Sequence, residues 1–230
     1  MKKRIFAVIL ALCMAAMCLA GCGPDSSEVR GTVTKTQDQK QPTETVPETT
    51  AGPEISLGST SGNQWENEFI GIGCKLDENW TFMSDEEIRQ NNQLANDLVG
   101  DEYKEALESA EVIYDMMANH ANQTDTVGVT MEKLSGAALL INEEAYIGLS
   151  KESLEGTITS MGVENVQTSA EEFTFAGESH YGIRLEGEYS GLKIYETLIA
   201  VKCNGYMACV TVCTWVEDGT QAILDSFYSL

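Results

Sequence analysis

Two histidines, His120 and His180, are all the imidazole this chain contains, and they limit the acid–base and metal chemistry open to it. No His-x-x-x-His pair exists, so the zinc-protease helix is excluded. A Ser–His–Asp triad could draw on either histidine, but no Gly-x-Ser-x-Gly elbow accompanies them. Ser179 and His180 are adjacent, and neighbours on a strand point to opposite faces. Carboxylates come in pairs: Glu86-Glu87, Asp101-Glu102, Glu143-Glu144, Glu171-Glu172 and Glu217-Asp218. A glycosidase needs two carboxyls at a set separation across a cleft. These pairs fall instead at helix starts and turns, where acids complement the helix dipole. No Asp-x-Asp-x-Asp-Gly loop and no phosphate loop is present. The residues define no catalytic set, no cofactor site and no metal site. An enzyme reading survives only as an envelope-directed hydrolase with a site assembled from distant residues such as His180 and acids.

Cys74, Cys203, Cys209 and Cys213 are the thiols of the C-terminal part. Their even number leaves disulfides open in an exported protein. The strand pattern argues otherwise for three of them. Cys209 and Cys213 share one face of a strand but stand four residues apart, roughly 13 Å, beyond disulfide reach. Cys203 lies on the opposite face. Cys74 can meet one of them only if its strand neighbours theirs. Burial as small hydrophobes is the expectation.

The elements that would position these groups follow from the pattern. A strand spans Glu68–Leu76, Asp77-Glu78-Asn79 turns, and Trp80-Thr81-Phe82 starts a second strand. Ser84-Asp85-Glu86-Glu87 is a capping box, predicting a helix to about Leu98, with a second helical piece over Asp101–Ser109. Strands are expected over Val112–Ala118 and Thr126–Leu134, with a loop over Asn119–Asp125. Ser150 is read as the cap of a helix ending at Gly162. Strands follow near 163–168, 171–176 and 180–189. Lys193–Cys203 and Tyr206–Trp215 form a hairpin turned by Asn204-Gly205, because both positions tolerate positive φ. A two-residue turn makes the numbers of facing residues sum to 409. Ile199, Val201, Ala208, Val210 and Val212 then share one face. Ile194, Leu198, Ala200, Cys209, Thr211, Cys213 and Trp215 share the other. Both faces are apolar, so the sheet should be covered on both sides. Trp80 and Trp215 are expected in the core; Trp65, at the domain edge, is left open. The chain should end in a helix from about Gly219, with Ile223 and Phe227 four apart.

The N-terminal end reads differently. Lys2-Lys3-Arg4 is followed by an uncharged apolar stretch from Ile5 to Ala20. This is too short for a confident membrane span, which takes roughly 20 apolar residues, and matches a secretion signal. Leu19-Ala20-Gly21-Cys22 resembles the lipobox of bacterial lipoproteins. The resemblance implies cleavage between Gly21 and Cys22 and attachment of a lipid to the Cys22 sulfur. Acyl chains buried at ~0.8 kcal/mol per CH₂ hold a protein firmly when there are two of them. The implied location is the extracytoplasmic face of the cell membrane. Residues 22–63 read as a lipid-bearing cysteine plus a disordered Thr/Pro/Gln/Ser-rich linker. It holds all four prolines and no aromatic residue, and cannot bury enough apolar surface to offset chain entropy. Residues 64–230 are then a single α+β domain, of ample size for one core.

The chain carries a net charge of −22. Loss of residues 1–21 removes Lys2, Lys3 and Arg4 and no acid. Such a surface repels phosphate backbones, so nucleic acid is excluded as a partner, and direct docking on anionic headgroups is disfavoured. Solubility is the plain reading of the charge.

Glu68-Phe69-Ile70-Gly71-Ile72, Asn79-Trp80-Thr81-Phe82 and the Ser84 capping box together resemble the opening of small lipoproteins of clostridia-type bacteria. Val112-Ile113-Tyr114-Asp115-Met116 and Ile223-Leu224-Asp225-Ser226-Phe227 are similar as well. The order of elements resembles the PsbP-like α/β/α sandwich. This implies an antiparallel sheet with helices on both faces, and an accessory or binding role rather than catalysis, with an envelope protein or a small ligand as partner. Fold analogy alone is a weak warrant for function.

Overall fold

A computed structural model describes residues 54–94 and 99–230. The signal, Cys22 and most of the linker lie outside the described residues, as does the stretch just before Val99. The chain runs β1 (Ser59–Ser61), β2 (Gln64–Asn67), β3 (Ile72–Lys75), β4 (Trp80–Phe82), α1 (Asp85–Asn91), α2 (Gly100–Ser109), β5 (Val112–His120) and β6 (Thr126–Lys133). A 3-10 turn over Gly136–Leu140 leads into α3 (Glu143–Ser160). Then come β7 (Glu164–Phe175), β8 (Glu178–Tyr189), β9 (Leu192–Cys203), β10 (Tyr206–Trp215), α4 (Thr220–Leu224) and β11 (Phe227–Ser229). The fold is α+β. Seven strands pair antiparallel in the order β4-β5-β6-β10-β9-β8-β7, and a smaller sheet has the order β1-β2-β3-β11.

The β9–β10 hairpin has the expected register. Cys203 faces Tyr206 and Glu196 faces Cys213, across Asn204 (φ 43°) and Gly205 (φ 82°). Its two faces divide as their residues dictate. On one side Leu198, Ala200 and Cys209 pack with Ile183, Leu185 and the α3 residues Tyr146, Ile147, Leu154 and Ile158. On the other, Ile199, Val201, Ala208, Val210 and Val212 join Trp65, Ile72 and Cys74 of the small sheet, with Leu107 of α2 and Leu224 of α4. The sheet is therefore covered on both sides. The second cover, expected to be helical, includes a whole sheet.

Several local expectations need correction. The α3 helix starts at Glu143, capped by the Asn142 side chain, which accepts from the Ala145 N–H at 2.9 Å. Ser150 lies inside it, donating back to the Tyr146 carbonyl at 2.8 Å. Segments 163–168 and 171–176 are one strand, β7, with an irregularity between Glu164 and Gln167. The terminal helix is only Thr220–Leu224. Phe227 then enters β11 and pairs with Cys74. Four-residue spacing of Ile223 and Phe227 fits a helix, but burial against β3 wins. Packed structure also extends before Gln64: Ile55 is buried, and β1 pairs with β2.

Candidate binding cavity

The β6 strand alternates so that Thr130 and Glu132 share a face. Glu132 sits directly between Val112 of β5 and Met207 of β10. The first turns of α3 lay Tyr146 over this point. The Tyr146 hydroxyl donates to Glu132 Oε2 at 2.9 Å and lies 3.5 Å from Cys209 Sγ. Burial raises the Glu132 carboxyl above its ordinary value, aided by the charge of Glu111, while the Tyr146 hydrogen bond opposes the shift. Burial likewise pushes the Tyr146 phenol well above its ordinary value. It pushes the Cys209 thiol up to about 12.

This pair forms part of the wall of an open cavity of about 390 Å³, at the lower end of the range for small-molecule pockets. Val112, Leu134, Ala138, Ile141 and Leu149 give it apolar walls, and Glu108, Glu111, Glu132 and Lys133 are its charged residues. The 3-10 turn Gly-Ala-Ala-Leu-Leu shapes one side. Gly136 enters it at φ 56°. Lys202 Nζ fixes its exit by donating to the Leu139 and Ile141 carbonyls at 2.8 and 2.7 Å. The turn leaves Leu140 87% exposed and Leu139 48% exposed, and Leu149 on the cavity wall is 49% exposed. Adjacent exposed leucines beside an apolar cavity are a feature that solubility does not require.

A second cavity, about 130 Å³, lies under α1 between Leu57, Arg89, Tyr103, Asp115 and Met117. Asp115 is the extra residue of a β-bulge, where the register shifts between Tyr114 and Met116. The bulge turns its side chain inward. Its carboxylate accepts from the Gly58 N–H and from Asn67 Nδ2, both at 2.6 Å. Asn67 also donates to the Ser56 carbonyl at 3.1 Å. Asp115 therefore fastens the segment that leads in from the N-terminal part of the chain. Burial pushes its carboxyl up to about 7, against those two hydrogen bonds.

His180 meets a carboxylate, as the hydrolase reading required. Its Nδ1 lies 3.0 Å from Glu143 Oε1. The same carboxylate accepts from the Lys202 N–H at 2.9 Å and more distantly from the Tyr181 N–H. The β8–β9 pairing ends at Gly182 and Ile199. Glu143 caps the backbone groups just beyond it. Burial acts to raise its carboxyl, but the hydrogen bonds from His180 and the two N–H groups prevail and hold it below the ordinary value. The pair joins α3 to the sheet and lies outside both cavities. His120 is apart from it, edge-on to Trp80 with ring centroids 5.1 Å apart. Trp65 is buried, while Trp80 and Trp215 are half-buried against the two cores.

Cys74, Cys203, Cys209 and Cys213 are all unpaired. Burial pushes Cys74 and Cys203 to about 12 as well. No group of three metal-binding side chains occurs among the described residues. Glu132, Tyr146 and Asp115 are not among the residues that motifs or spacing single out. A signal was present for Asp115 and Glu132: each is a lone acid inside an otherwise uncharged strand core. Tyr146 gave none.

No family model and no curated protein matches the chain. Among solved structures it is similar to LpqN of Mycobacterium tuberculosis, described as involved in cell envelope biogenesis. The identity is 8%, covering 68% of this chain and 82% of that one, with a TM-score of 0.38. A likeness of that size carries no argument about what this chain does.

Proposed function

We propose that this chain is an exported lipoprotein, anchored through Cys22 on the extracytoplasmic face of the membrane, whose folded part binds a small ligand with an apolar body. The observation that carries the binding reading is the 390 Å³ cavity walled by Val112, Leu134, Ala138, Ile141 and Leu149. The anchor rests on Leu19-Ala20-Gly21-Cys22 behind the charged and apolar segments. A PsbP-like fold is part of the same proposal. It is supported by the antiparallel seven-stranded sheet with α3 on one face. The residues around the cavity bind and orient; none of them forms a nucleophile–base pair.

Two measurements test this. Cells expressing the chain should incorporate labelled palmitate into it, and Cys22→Ser should abolish the label. Purified protein should enhance the fluorescence of the neutral apolar dye Nile red. Leu149→Arg, at a half-exposed position on the cavity wall, should remove most of that enhancement without changing the fold seen by circular dichroism. Enhancement that survives Leu149→Arg would place the dye elsewhere and sink the binding reading.

A further inference from the structure

The cavity's charges are unequal. Glu108, Glu111 and Glu132 line it against a single cation, Lys133, and Lys133 Nζ donates to the Glu108 backbone carbonyl. Glu132 is the buried one of the three, and Tyr146 is the one side-chain partner its carboxylate has among the described residues. A ligand group that donates hydrogen bonds and carries positive charge would meet the Glu132 carboxylate on the cavity wall.

Resting on the cavity reading, we infer that the ligand is a cationic amphiphile, with a primary ammonium against Glu132 and an apolar body along Val112, Leu134, Ile141 and Leu149. An ammonium has three donors and no acceptor. It makes a charge-assisted hydrogen bond to Glu132, of the stronger kind. A carboxylate or phosphate head would face three acids.

Isothermal titration of the purified protein with octylammonium, octanol and octanoate separates the possibilities. Octylammonium should bind about tenfold tighter than octanol or better, the difference expected of one charge-assisted hydrogen bond, and octanoate should bind weakest. Glu132→Gln keeps an acceptor for Tyr146. It should bring octylammonium down to the level of octanol in the same variant, with the melting temperature near that of the parent. Leu149→Arg should weaken all three. Octanoate binding as well as octylammonium, or a preference for octylammonium that survives Glu132→Gln, overturns the cationic assignment. Octanol binding that Leu149→Arg removes would then still uphold the apolar cavity. Failure of all three probes to bind overturns both.

Discussion

Asp115 has the hydrogen bonds of an ionised carboxylate in a place that favours the neutral acid. The bulge in β5 delivers it into the core, Gly58 and Asn67 donate to it, and burial still pushes it up to about 7. A carboxyl whose folded value is raised binds its proton more tightly when folded. Its contribution to stability is full below the ordinary value of 3.8 and is lost as pH rises through about 7. Between those points the protein should lose stability with rising pH from this group. Asp115→Asn, which cannot titrate, should flatten that part of the profile. Urea denaturation midpoints of parent and variant between pH 4 and pH 8 measure it, and parallel profiles would show that Asp115 does not titrate in this window. Glu143 shows the opposite case. Three donors surround its carboxylate, so its contribution is lost only on the acid side.

The elements are held by pairings that differ in how local they are. The β9–β10 hairpin is set by two adjacent residues, since Asn204 and Gly205 both take positive φ, and Asn204 Nδ2 also donates to the Phe69 carbonyl at 2.8 Å. The β8 strand approaches β9 so closely that a Cβ on Gly182 would come within 2.5 Å of the Leu198 carbonyl oxygen. The three-residue β11 depends wholly on distant chain. Phe227 is buried opposite Cys74, and the Tyr228 hydroxyl donates to Glu66 at 2.8 Å. Phe227→Ala should cost about 3–5 kcal/mol, the range for a buried aromatic in a packed core. Thermal or urea unfolding reads it directly. A cost under about 1 kcal/mol would mean that β11 is not part of the cooperative fold.

For the whole molecule, the second sheet draws residues before Gln64 into the fold. The β1 strand, buried Ile55 and the Gly58–Asp115 hydrogen bond all precede Gln64. A chain beginning at residue 54 keeps these contacts, and one beginning at residue 64 loses them and leaves Asp115 short of a donor. The shorter chain should be less stable by about 2–5 kcal/mol, from one buried aliphatic side chain and one charged hydrogen bond. Equal unfolding midpoints for the two chains would return the boundary to Gln64. The net charge of −22 acts at this scale too, favouring cations near the surface over anions.

Local chemistry made much of this protein legible in its sequence. The Ser84 capping box forms as read, with Ser84 and Glu87 bonded reciprocally. The Asn204-Gly205 hairpin takes its register from the turn, and period-two alternation fixes which residues share each face. These signals lie within a few residues of one another, so the chain carries them unaided. The cavity was not legible. It needs α3 laid across β6 and β10 so that Tyr146 reaches Glu132, fourteen positions away in sequence, and a turn of leucines held by Lys202 from another strand. The fate of Phe227 and the fastening of Gly58 to Asp115 are of the same kind. Spacing in sequence cannot separate a helix from a short strand when the deciding contact is 153 residues distant, as it is between Cys74 and Phe227. Only packing in three dimensions selects between them, because the burial that outweighs local preference is supplied by a different part of the chain.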